Sequence, residues 1–197
     1  MDYAKIRSNF EKHGFTTQLF AAKEVACDYF VGALKRQTIG FGGSVTLKEM
    51  GLYEALEPNN AVVWHNRVMA RDVRRLANCA SIYITSANAV SQSGEIVNID
   101  GTGNRVAMTA FGPERCYYVV GKNKIADTLE DAIYRSRNVA APLNAKRLNL
   151  KTPCAVKADK CYDCDSPDRC CRMTMIMDRA PIGLPSEIVF VDEALGY

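Results

Sequence analysis

Apolar positions along the chain switch period repeatedly, from helical spacing to strand alternation and back. Residues 2–12 set Ile6 and Phe10 on one helical face and stop at Gly14. Residues 15–20 read as a weak strand, and 23–35 as a helix with Val25, Phe30, Val31 and Leu34 facing inward. A strand over 38–41, a helix over 46–56, a strand over 61–64 and a helix over 68–78 follow. Residues 81–85 (S-I-Y-I-T) have the pattern of a buried strand. Segments 89–91 and 95–99 flank Gln92-Ser93-Gly94, which reads as a hairpin turn. A helix over 104–111, a strand over 116–120 and a helix over 129–148, bent or interrupted at Pro142, come next. After a polar loop, 173–177 and 188–191 close the chain as strands. Such alternation predicts α/β architecture: a three-layer α/β/α sandwich around a mainly parallel sheet.

The length, 197 residues, suits one domain over 1–197 with a full core, and 48% hydrophobic residues supply it. The net charge is only +3, with both signs mixed along the chain. Nucleic-acid binding needs clustered basic surface, so no nucleic-acid partner is expected. No run of about eighteen apolar residues predicts a membrane span. Residues 1–6 lack the basic-then-apolar order of a signal peptide, so a cytoplasmic location with reduced cysteines is expected.

That compartment changes the reading of the cysteines. Five of the eight lie in one polar loop over 154–171: Cys154, Cys161, Cys164, Cys170 and Cys171. Packing alone does not ask for such density, whereas a soft or borderline metal does. Cys161-x-x-Cys164 offers two ligands from one turn, with Cys154 and either Cys170 or Cys171 completing four. Zinc and a [4Fe–4S] cluster both accept four thiolates, and the spacing matches neither a zinc ribbon nor a ferredoxin run. Cys27, Cys79 and Cys116 lie on apolar patterns and are expected as small buried hydrophobes.

Three strand-to-helix turns carry glycine with polar or basic residues. The first is Gly40-Phe41-Gly42-Gly43-Ser44, followed by Thr46 and Glu49 in capping-box spacing. The second runs Asn98-Ile99-Asp100-Gly101-Thr102-Gly103-Asn104-Arg105, and places Arg105 where it opposes the helix dipole unless an anion is bound. The third is Gly121-Lys122-Asn123-Lys124, with Asp127 and Glu130 as a cap beyond it. Glycine lets backbone N–H groups approach a ligand, and in open α/β sheets ligands gather at the carboxyl ends of strands. A plain tight turn is the alternative at each position alone. His65 follows a strand and is a possible acid–base group; no Ser-His-Asp arrangement is visible.

The segment T-S-A-N-A-V-S-Q-S-G-E-I-V-N-I-D-G-T-G-N-R-V-A, with G-F-G-G-S-V-T-L-K-E-M-G before it and R-N-V-A-A-P-L-N-A-K-R-L after it, resembles the LUD-domain (DUF162) proteins of lactate utilization. The likeness runs through T-P-C and C-x-x-C-D-S-P-D-R-x-C to the final residues. It implies a NagB/RpiA/CoA-transferase-like fold and makes Cys171 a better fourth ligand than Cys170. More distantly, N-A-V…G-E-I-V-N-I-D-G-T looks like a stretch of methylthioribose-phosphate isomerase and initiation-factor-2B-like proteins. There Asn88 replaces their acidic residue, and an amide cannot act as a general base.

The resemblance implies a protein that binds a small anionic metabolite and acts in oxidising L-lactate to pyruvate beside iron–sulfur subunits. On that reading Gly42, Gly43, Ser44, Gly101, Thr102 and Gly103 cradle the anion, Arg105 and Lys122 supply charge, and Asn88 and Asn98 orient its polar end. Cys154, Cys161, Cys164 and Cys171 hold a [4Fe–4S] cluster or zinc. A homo-oligomer stays open. The alternative is an autonomous isomerase or transferase on a phosphorylated or CoA-linked substrate, with Glu49, Asp100 or His65 as its ionisable group.

Overall fold

In the computed structural model, which describes residues 1–68 and 72–197, the first third of the chain folds as α1 (Tyr3–Lys12), β1 (Thr16–Phe20), α2 (Lys23–Ala33), β2 (Thr38–Phe41), α3 (Val45–Glu49), α4 (Leu52–Leu56) and β3 (Ala61–Val63). The middle holds α5 (Val73–Ala77), β4 (Ile82–Ser86), β5 (Ala89–Ser91), β6 (Ile96–Asp100), α6 (Asn104–Ala110) and β7 (Arg115–Gly121). The last part comprises β8 (Ile125–Ala126), α7 (Leu129–Arg135), α8 (Ala141–Arg147), α9 (Pro153–Lys157), β9 (Met173–Met177) and β10 (Ser186–Val191).

Six strands form a wholly parallel sheet in the order β1-β10-β7-β4-β2-β3. Its inner strands are buried on both faces, and their side chains alternate between two cores. Ile82, Ile84, Tyr117, Val119, Val189 and Val191 join Phe30, Phe41, Leu47 and Trp64 under α2, α3 and α4. Tyr83, Tyr118, Val120, Ile188 and Phe190 turn the other way, onto Ile6 and Phe10 of α1 and onto Val90 and Ile96. That second face is therefore covered partly by a smaller sheet, β8-β5-β6-β9, rather than by helices alone. The outer side of the small sheet packs Ala89 and Val97 on Ala132 of α7.

The expected α/β class and mainly parallel sheet are present, with several local differences. On α2 the inward residues are Ala26 and Phe30, whereas Val25 is 51% exposed. One helical turn back from Phe30 falls on Ala26, so Val25 lies off the stripe. The helix expected over 46–56 is two, divided at Gly51, whose φ of 65° is left-handed. Ser44, not Thr46, caps α3 by accepting from the Leu47 N–H, because Thr46 is buried and donates to the Leu195 carbonyl. Thr128, not Asp127, caps α7 by accepting from the Asp131 N–H. Of the helix expected over 68–78 only Val73–Ala77 is helical, and 69–71 lie outside the described residues. Cys79 falls after that helix and is exposed rather than buried.

The expected interruption near Pro142 takes a definite form. Ser136–Ala140 is a π-helical turn joining α7 to α8, with Pro142 in the first turn of α8. Proline has no N–H to give Asn138, four residues back, and its ring crowds that carbonyl; the widened turn accommodates both. Among the described residues no helix is long and apolar enough to cross a membrane.

Candidate functional site

Strand order locates a crevice. From β2 the chain moves outward to β3, then returns to place β4 on the opposite side of β2. Connections that leave neighbouring strands in opposite directions open a gap above their carboxyl ends. A cavity of about 390 Å³ lies there, lined after β2 by Gly43 and Ser44, after β3 by His65 and Asn66, and after β4 by Ala87 and Asn88. The 99–105 turn contributes Ile99, Asp100, Gly101, Thr102, Asn104 and Arg105, and Asn144 and Arg147 of α8 close another side.

In the second turn Thr102, Gly103 and Arg105 do not offer their N–H groups to a ligand. One Asp100 oxygen accepts from the N–H groups of Thr102 and Gly103, each at 3.1 Å. The other accepts from the N–H groups of Arg105 and Val106, and the Arg105 Nε lies 3.5 Å from it. The internal carboxylate thus plays the part an anion was expected to play, and it also balances Arg105 against the helix dipole. Gly101 has a different reason to be glycine: a Cβ there would stand 2.4 Å from the Cys170 carbonyl oxygen.

The remaining expected residues divide. Gly42 is tied by its N–H to the Ile84 carbonyl and by its own carbonyl to Trp64 Nε1, and does not line the cavity. Gly103 and Asn98 also lie outside the lining. Asn98 is buried and accepts from the Asn88 N–H at 3.2 Å, while Asn88 Oδ1 accepts from the Ile99 N–H at 2.8 Å. This reciprocal pair locks the β5–β6 hairpin and leaves Asn88 on the cavity wall. Lys122 points away and pairs with Asp192 at 3.6 Å. Glu49, also outside the lining, accepts from the Gly196 N–H at 2.7 Å.

Of the three ionisable candidates, Asp100 is committed to backbone donors and Glu49 is outside. His65 lines the cavity, and among the described residues its buried Nδ1 has no hydrogen-bond partner. Burial, then Arg74, Arg147 and Arg105, hold its pKa below the usual histidine value.

The positive charge of the cavity comes mostly from residues that turn chemistry did not single out. Lys48, Arg74, Arg105, Lys124 and Arg147 all line it, against Asp100 as the carboxylate of the described lining. Lys124 is the least exposed of the lysines there, 4%. Its Nζ donates to Thr46 Oγ1 (2.8 Å), Ser86 Oγ (2.9 Å) and the Ala87 carbonyl (3.1 Å). Burial, with Arg135 and Arg105 nearby, lowers its pKa to about 7. The short 3-10 turn Lys122–Lys124 sends the two lysines to different sides, whereas an extended reading sets them alike. Arg147 donates from Nε to the Tyr197 hydroxyl at 2.7 Å, which brings that residue into the wall.

All five loop cysteines border a second, small void of about 20 Å³, together with Arg137, Arg169 and the start of α8. Thr152 Oγ1 lies 3.3 Å from Cys154 Sγ, and the Asp163 N–H donates to Cys161 Sγ at 3.4 Å. Cys170 borders the void as the other four do, and burial, then Cys171 and Cys154, push its thiol pKa up. Among the described residues no three His, Cys, Asp or Glu side chains stand together as ligands for a single metal ion. Cys170, Cys171 and Ala141 belong to both the void and the larger cavity, so one wall separates them.

A family model described as the LUD domain matches residues 3–191. A solved structure of a DUF162 family protein from Deinococcus radiodurans is similar at a TM-score of 0.54 and 13% identity, covering 97% of this chain and 99% of that one. Ribose 5-phosphate isomerase A from Neisseria gonorrhoeae aligns over 54% of each chain, at a TM-score of 0.35 and 16% identity. No curated protein matches the sequence.

Proposed function

The chain belongs to the LUD domain family, and on that premise we propose that it binds a small anionic metabolite in the switch-point cavity and serves L-lactate utilization beside iron–sulfur partners. The observation that carries this reading is the charge balance of the lining. Lys48, Arg74, Arg105 and Arg147 line a space whose carboxylate is already spent on four backbone N–H groups. A carboxylate or phosphate entering there meets preorganised cations in a partly desolvated setting, where each contact is stronger than in water. Ser44, Thr102, Asn88 and Asn144 add neutral groups able to bond a hydroxyl or carbonyl on the same molecule.

The grouping of all five loop cysteines on one small void is what supports an iron–sulfur group there. Cys154, Cys161, Cys164 and Cys171 would hold it, with Cys170 as a further thiol, and Arg137 and Arg169 would offset thiolate charge. Such a group supplies one-electron transfer. Zinc at the same thiols would make the loop structural.

Anaerobic purification followed by iron, zinc and acid-labile sulfide analysis tests the loop. Calorimetry with L-lactate, pyruvate and inorganic phosphate tests the cavity. Saturable binding that weakens with salt supports the anion reading; no binding by any of the three overturns it.

A further inference from the structure

We infer that Lys124 is a nucleophilic amine that captures the carbonyl group of the cavity's anionic ligand as a Schiff base. This rests on the anion-binding reading of the cavity and adds the ligand's class: a small oxo-anion, with a ketone or aldehyde a few bonds from its carboxylate or phosphate.

Position comes first. Lys124 follows β7 at the carboxyl end of the sheet, beneath the switch-point crevice, and lines the cavity while 4% exposed. Its three partners, Thr46 Oγ1, Ser86 Oγ and the Ala87 carbonyl, are all neutral. A buried ammonium without a carboxylate bonded to it is costly, and the neutral amine relieves that cost. The charged groups facing it act in the same direction or weakly against it. Arg135 from α7 and Arg105 from α6 oppose the ammonium, and Glu49 from α3 is the lesser, opposing influence. Burial leads these causes and brings the group to about 7, so much of the population is unprotonated near neutrality. Lysines activated this way, by desolvation and neighbouring cations, are the ones that form Schiff bases.

The partners also hold the nitrogen in place. A neutral amine has two N–H bonds for three acceptors, so one acceptor loses its bond and the lone pair is free. Thr46 already donates its own hydroxyl proton to the Leu195 carbonyl. Two N–H bonds to these acceptors hold the nitrogen in the cavity wall and leave its lone pair unbonded. Arg105 and Arg147, on other walls of the same cavity, are placed to take the ligand's anionic end.

The step balances without a cofactor. The Lys124 nitrogen adds to the carbonyl carbon, and the amine proton passes to the oxygen to give a carbinolamine. One further proton lets that oxygen leave as water, and an iminium forms between Nζ and the former carbonyl carbon. Hydrolysis reverses it.

The test is reductive trapping on the full chain. Protein is incubated with pyruvate or with glyceraldehyde 3-phosphate, treated with cyanoborohydride, digested and mapped by mass spectrometry. The expected result is label on Lys124 roughly tenfold above that on any surface lysine. It should be suppressed by excess inorganic phosphate and increase in rate as pH rises through about 7. Comparing the two probes shows whether the carboxylate or the phosphate form is preferred. Lys124→Arg, which keeps the charge, and Lys124→Gln should lose that label and keep labelling elsewhere. Because mapping on the unaltered chain is decisive, an unstable variant does not obscure the outcome. Calorimetric binding of the probe with no Lys124 label overturns the amine's role and leaves the anion reading standing. Label on Lys124 that phosphate cannot suppress keeps the amine's role and removes the anion reading.

Discussion

The Cys170 carbonyl oxygen occupies the place a side chain on Gly101 would need, 2.4 Å from the Cβ position. The adjacent Arg172 N–H donates to the Asp100 carbonyl at 2.9 Å, so the cysteine loop is clamped to the rim of the cavity at two neighbouring points. Gly101→Ala should push the loop outward, costing about 2 kcal/mol by overpacking. Urea unfolding measures the loss, and faster thiol labelling of Cys170 and Cys171 marks where it falls. Unchanged stability and labelling would show that the loop does not rest there.

Asp100→Asn tests the internal carboxylate. An amide oxygen cannot replace both carboxylate oxygens, which accept four N–H groups beside Arg105. Destabilisation of about 3 kcal/mol is expected by urea titration. A fully stable Asp100→Asn chain would contradict the carboxylate's role as anchor of α6.

Arg147→Gln and Lys122→Gln form a matched pair. Arg147 lines the cavity, and its loss should weaken phosphate or carboxylate binding about tenfold, ~1.4 kcal/mol. Lys122 pairs with Asp192 outside the lining, so removing it should leave the dissociation constant unchanged at equal salt. Calorimetry in one buffer decides between them, and a reversed result would move the anion site elsewhere.

Lys124 makes stability depend on pH in a definite sense. Its folded pKa is lowered from 10.5 to about 7, so between those values the unfolded chain holds a proton the folded chain has shed. Stability from this group therefore rises with pH across that window, by about 1 kcal/mol per unit, and is flat below it. Buried cysteine and tyrosine groups with raised pKa values act oppositely at the alkaline end, Cys116 and Tyr118 among them. The difference between the native chain and Lys124→Met isolates the lysine. The native chain's stability minus that of the variant should rise as pH climbs from about 7; a constant gap would show that the amine keeps its proton when folded.

Cys164→Ser and Cys79→Ser separate the loop from the rest. Cys164 borders the thiol void, and its loss should cut bound iron or zinc by about half or more after anaerobic purification. Cys79 is exposed and far along the chain, so its replacement should leave the metal content unchanged. Equal loss in both would mean metal is held adventitiously.

Periodicity made the sheet readable because buried strands such as Ile82–Ser86 and Ser186–Val191 carry short apolar runs, 82–84 and 188–191, near turn residues. The glycine turns were readable as turns, and those after β2 and β6 do meet above the sheet. Who fills their N–H groups was not readable, because Asp100 acts on residues beside it through side-chain geometry that no spacing reveals. Lys122 and Lys124 look alike in sequence, and only the 3-10 turn between them sends one to solvent and one inward. Arg74, Asn144 and Arg147 come from helices distant in sequence, where each reads as an ordinary surface polar residue. Their convergence depends on tertiary packing.

The position of β10 between β1 and β7 has a consequence for biosynthesis. Among the described residues β1 pairs with β10 alone, Thr16 opposite Glu187, so this edge waits until residues 186–191 have left the ribosome. Until then Leu19 and Phe20 are in a strand with no neighbour, a template for wrong partners. Newly made chains should consequently lean on chaperones that shield extended apolar segments, and fold more slowly than helical proteins of equal size.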